Sequence, residues 1–161
     1  RAQRVELRAH RRRVRRAAPR RAKRGEAVRG EGGDETRIYI ASPMPHRERA
    51  VDVADRLTAL GHTVTSRWHD QPWSGDPTDP FKAARVATDN RNDLLHADEL
   101  VVLPCPHGTH GREMWVEVGT WVALNRSFMS AVVAPGTPVA LSLTAYARMF
   151  PTDDALVEAF R

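Results

Sequence analysis

The sequence predicts a three-layer α/β domain in which a five-stranded parallel sheet lies between helices. Short apolar runs alternate with amphipathic stretches from Thr36 onward. The runs are apolar at successive positions, as strands covered on both faces are. The amphipathic stretches are long enough to carry one parallel strand to the next, a crossover that a tight turn cannot make.

Arg37-Ile38-Tyr39-Ile40-Ala41 is the first strand, with Ser42-Pro43-Met44-Pro45 as its exit loop. Arg47 to Leu60 follows as a helix with Ala50, Val53, Ala54, Leu57 and Leu60 on its apolar stripe. Gly61 ends that helix, because it tolerates the left-handed conformation of a C-terminal cap. His62 to Trp68 reads as a second strand, and Gln71 to Pro80 as a long loop able to cover a site. A helix from Pro80 to His96 leads into a third strand, Glu99 to Leu103. Another helix carries Arg112 to Leu124, and Met129 to Ala134 is the fourth strand. Ala147 to Phe150 is a short fifth, before a helix over Asp153 to Phe160. Strands and helices in this order make a flavodoxin/Rossmann-like sheet, whose ligands sit at the carboxyl ends of the strands.

Charge divides the 161 residues unevenly. Residues 1 to 30 hold 13 of the 25 Lys/Arg and only Glu6 and Glu26 of the 20 acids, a net of +11; the rest of the chain is therefore −6. Arg11-Arg12-Arg13-Val14-Arg15-Arg16 has no apolar stripe, and like charges so dense repel one another. Residues 1–35 are expected to be a disordered Arg-rich tail and residues 36–161 the folded domain. The tail reads as a nucleic-acid arm, a solvated extension without a partner, or upstream sequence. It is the only part of the chain with the charge to bind nucleic acid. The lone Cys105, with no apolar run of membrane length and no signal-peptide core, leads us to expect a soluble cytoplasmic protein.

One carboxylate stands out. Glu117 lies between Val116 and Val118 on a helix whose inward positions, Met114, Trp121 and Leu124, are apolar, one turn from a strand-to-helix loop. A carboxylate in such a place needs a partner or a task. The same rim collects Tyr39, Ser42 and Arg47 after the first strand, Asn92 and Asp93 before the third, and Thr109, Gly111 and Arg112 after it.

Four blocks in order resemble the nucleoside 2-deoxyribosyltransferase-like proteins, which include deoxynucleotide N-glycosidases. They are Ile38-Tyr39-Ile40-Ala41-Ser42, Leu60 to Trp68, Asn92-Asp93-Leu94 with Ala97-Asp98, and Val116-Glu117-Val118-Gly119. The resemblance spans residues 36–160. It implies that Glu117 is the nucleophile, that Asp93 binds the sugar and assists the leaving base, and that Tyr39 holds the glutamate. It also implies a homodimer. Breaking an N-glycosidic bond builds positive charge on the sugar, so a carboxylate beneath the ring and a second acid near the base suit the chemistry independently. Capture of the glycosyl-enzyme by a second base gives transfer, and capture by water gives hydrolysis.

Gly108 and Gly111 leave backbone N–H groups near a helix start, where a substrate phosphate can rest with Ser42, Arg47, Thr109 or Arg112 assisting. Trp73, in the long loop, is the best base-stacking candidate. Cys105, His107 and His110 lack the spacing of a zinc site, so we expect no metal and no cofactor. Two bland readings stand beside these. Glu117 pairs with Arg112 or Arg126, and Asp93 is an ordinary exposed helix residue. Two further functions stay open: a nucleotide-binding sensor without turnover, and nucleic-acid binding through residues 1–35. Thr120-Trp121 replaces the Tyr-Ala that commonly follows the family's glutamate block, and Pro135 to Pro138 lacks the Asn some members place there. Both departures bear on substrate choice.

Overall fold

A computed structural model describes residues 35–71, 79–105, 111–135 and 141–161. Residues 1–34 of the expected tail, Trp73 and Thr109, together with His107 and His110, lie outside the described residues. Five strands, β1 (Arg37–Ala41), β2 (Thr63–Val64), β3 (Glu99–Val102), β4 (Met129–Val132) and β5 (Arg148–Phe150), form one sheet in the order β2-β1-β3-β4-β5. Every neighbouring pair is parallel. Between them run α1 (Arg47–Ala59), α2 (Pro80–Leu95), α3 (Arg112–Ala123) and α4 (Leu141–Tyr146), and α5 (Asp153–Glu158) follows β5. The expected three-layer sheet is present.

Alternation along the strands builds two cores. Ile38, Ile40 and Val101 face α1 and α5, with Val53, Leu57 and Leu156. Tyr39, Ala41, Leu100 and Val102 face α2 and α3, with Leu94, Met114 and Trp121. A strand covered on both sides must be apolar at every position, which explains the unbroken runs of the sequence. Glu99 is the exception at the amino end of β3; it is buried and accepts a 2.6 Å bond from the Ser130 hydroxyl.

Chemistry at the helix ends sets the boundaries. Asp79 caps α2, accepting from the N–H groups of Phe81 and Lys82 at 3.0 and 3.2 Å, with Pro80 in the first turn. Beyond α1, Gly61 has φ +90°; its N–H donates to Thr58 O and that of His62 to Leu57 O, a Schellman closure. Asn125, with φ +54°, closes α3 in the same way.

Two expectations change. The second strand, expected over His62 to Trp68, is laddered only at Thr63–Val64. Side chains replace the ladder after that: Ser66 Oγ accepts from the Ile40 N–H at 3.1 Å, and Trp68 Nε1 donates to Ile40 O at 2.8 Å. The chain thus leaves the sheet early while satisfying β1. Helix α4 was not expected, because six residues are too few to show a period.

Candidate active site

The strand order reverses direction between β1 and β3, and the helices that follow these two strands cover opposite faces of the sheet. Tyr39, on β1, points to the side of the sheet covered by α2 and α3. From α3, Glu117 reaches the same point, and the Tyr39 hydroxyl donates a 2.6 Å bond to Glu117 Oε1. The helix register explains the meeting. Met114 and Trp121, one turn before and after, are buried against the sheet and carry Glu117 inward with them.

This carboxylate is half-buried, and its pKa is pushed up from the ordinary 4.5 to about 7. Removal from water is the largest cause. The Tyr39 hydrogen bond works against it, and the charge of Glu113, one turn earlier, adds to it. Tyr39 is fully buried; burial foremost, then the charge and hydrogen bond of Glu117, hold its hydroxyl protonated far above the usual tyrosine range. Of the two bland partners, Arg126 is engaged elsewhere, donating to Leu95 O at 3.0 Å and lying 5.6 Å over the Trp121 ring.

Asp93 is buried at the inner face of α2, not exposed, and its charge reaches Tyr39. Its partner is Arg67, whose Nη2 lies 2.8 Å from Oδ1 and whose backbone N–H lies 3.2 Å from Oδ2. Arg67 was missed because a strand running to Trp68 makes it a sheet residue. The early exit of β2 puts it on the carboxyl rim instead. Asn92, the neighbour of Asp93, is exposed on α2 and is not brought to the Tyr39–Glu117 pair.

The remaining candidates mostly join the two loops. Ser42 is buried, and its hydroxyl donates to Leu103 O at 3.2 Å. The Nε of Arg47 donates to His69 O, tying the start of α1 to the segment after β2. Cys105 is a buried free thiol with His46 Nε2 3.1 Å from its sulfur. Among the described residues no cluster of His, Cys, Asp and Glu is placed to hold a metal ion. Gly111 precedes α3 with φ +117°, and a Cβ there would stand 2.9 Å from Cγ of Pro43. Only glycine lets the two loops approach so closely. Arg112 is exposed at the first position of α3. Trp121 belongs to the same core as Tyr39, and its indole N–H has no partner among the described residues. No helix among the described residues is long and apolar enough to cross a membrane.

No family model and no curated protein matches this sequence. Solved structures do match in fold. A 2-deoxyribosyltransferase from Bacillus psychrosaccharolyticus superposes with a TM-score of 0.61 at 20% identity, over 75% of this chain and 90% of that one. A conserved protein from Enterococcus faecalis V583 gives a TM-score of 0.60 at 16% identity, over 79% and 98%. A CMP N-glycosidase from Clostridium botulinum gives 0.51 at 14%, over 76% and 95%. The chain has the fold of these proteins.

Proposed function

We propose that the protein cleaves or transfers at the N-glycosidic bond of a nucleoside or (deoxy)nucleotide, with Glu117 as nucleophile and Tyr39 as the group that aims it. The observation that carries this reading is the 2.6 Å bond from Tyr39 to a half-buried Glu117 at the reversal of strand order. Tyr39 donates to Oε1 and so leaves Oε2 for the sugar C1′. A carboxylate removed from water holds its charge at a cost, and an oxocarbenium-like sugar relieves that cost in the transition state. The glycosyl ester then passes to water or to a second base.

The fold shared with a 2-deoxyribosyltransferase and a CMP N-glycosidase supports this class of chemistry. The exposed apolar side chains of Phe81, Trp115 and Val116 support a homodimer. No cofactor is needed for the step. The test is release or exchange of free base from a panel of nucleosides and 5′-monophosphates, with and without an acceptor base. Glu117→Gln should lower it by roughly 10³-fold or more with the fold intact. Full activity in a well-folded Glu117→Ala protein would sink the reading. Nucleotide binding by the wild type without any base release would favour a sensor instead.

A further inference from the structure

A leaving base needs either a proton or a partner for its negative charge, and the described site is short of proton donors. The Tyr39 hydroxyl is directed at Glu117. The second carboxylate, Asp93, is arranged as an acceptor. Arg67 Nε lies 3.1 Å from both of its oxygens, Nη2 2.8 Å from Oδ1, and the Arg67 backbone N–H 3.2 Å from Oδ2. A proton on either oxygen would face a guanidinium or amide N–H, not a substrate.

Arg67 itself is the group left facing outward. Its side chain is 57% exposed while that of Asp93 is 10% exposed, so the buried acid holds the inner edge of the fork. The outer nitrogen, Nη1, has no partner among the described residues. The charges that reach this cation are both acidic, Asp93 and Asp89 on α2. Tyr39 is within reach of both carboxylates, bonded to Glu117 on the helix after β3 and exposed to the charge of Asp93, whose partner Arg67 comes from the segment after β2. In a displacement the leaving group departs on the side away from the nucleophile.

We propose that Arg67 receives the departing base on its outward N–H edge, and that Asp93 is the positioning carboxylate that aims it. The inference rests on the glycosidic reading of Glu117. Arginine keeps its proton, so it stabilises charge without acting as an acid. As the bond from C1′ to the base nitrogen breaks, its electron pair stays on the base while a Glu117 oxygen bonds to C1′. The base anion spreads its charge onto the adjacent carbonyl oxygen, which Nη1 contacts, and takes its proton from water. The hydroxide left behind cleaves the glycosyl ester, restoring the Glu117 carboxylate and the free sugar. The favoured substrates are nucleosides or nucleotides of a pyrimidine whose glycosidic nitrogen is flanked by a carbonyl, the uracil-type diones above the cytosine type.

The test compares 2′-deoxyuridine with 4-nitrophenyl 2-deoxyriboside, whose leaving group needs no help, from pH 5 to 9. Arg67→Gln should lose roughly 10- to 100-fold in kcat/KM on deoxyuridine, the effect of a hydrogen bond to a charged group, and little on the nitrophenyl substrate. Arg67→Lys should recover only part, since an ammonium has no fork. Wild type and Asp93→Asn should both stay flat on the alkaline side. Equal losses on the two substrates, or full activity of Arg67→Gln on deoxyuridine, would overturn the role of Arg67 and leave the function of Glu117 standing. So would an alkaline decline in the wild type that Asp93→Asn abolishes, which would make Asp93 the acid. If the wild type cleaves neither substrate, the reading of Glu117 falls and this inference with it. Thermal melting of each variant checks that it is folded.

Discussion

The hydroxyl of Tyr39 sets the working range of Glu117. Its hydrogen bond favours the charged carboxylate, while burial and Glu113 favour the neutral acid. A nucleophile must be ionised, so base release should rise with pH through about 7. Tyr39→Phe removes the favouring bond and should move that rise by about one pH unit to the alkaline side; a pH profile of kcat/KM that does not move would show that the bond does not tune Glu117. Stability carries the opposite mark. The pKa of the folded state, about 7, lies above the unfolded 4.5, so folding bears no cost from this group below the lower value. The cost grows between the two and is complete above the higher. Glu117→Gln should therefore melt higher than wild type at pH 8 by on the order of 1 kcal/mol, allowing for partial exposure, with a smaller gain at pH 5. A gain independent of pH would contradict the assigned cause. At this scale Glu117 was legible as an odd carboxylate on an apolar face. Arg67 was not, since its role depends on a buried Asp93 that is 26 residues away.

Loops leaving adjacent strands must touch for the site to exist. Ser42 bonds to Leu103 O, Leu103 N–H bonds to Ala41 O at 2.9 Å, and Gly111 lies against Pro43. Gly111→Ala adds a methyl group both in a left-handed conformation and against Pro43. It should cost roughly 1–3 kcal/mol of stability, and base release should fall further than melting does, because α3 carries Glu117. An unchanged melting temperature would mean that the loop yields freely. Most elements were readable from their periods, but β2 was read too long. Ser66 and Trp68 carry strand-like chemistry, yet they serve β1 through side chains and not through a ladder. Local sequence does not separate these two ways of satisfying a backbone.

Across the whole molecule, charge and core occupy different parts of the chain. The two hydrophobic cores are built from residues 38 to 160, whereas the basic excess lies in residues 1 to 30. Removing residues 1–35 should leave base release and a dimeric sedimentation coefficient unchanged, and should abolish any nucleic-acid binding that falls steeply with salt. Binding that survives the truncation would place that activity on the domain, and a monomeric coefficient for the full chain would remove the homodimer. The sequence by itself determined the parallel sheet and its covering helices, because burial on both faces demands unbroken apolar strands. It also marked Glu117, because a carboxylate on an apolar face is costly without a partner. Only the tertiary structure decided which side chains meet. Tyr39 and Glu117 are 78 residues apart, and their 2.6 Å bond exists because the strand order sets β1 beside β3 and brings α3 over both. The pairing of Arg67 with Asp93 likewise depends on where β2 leaves the sheet, a choice made by hydrogen bonds to β1 that no local pattern contains.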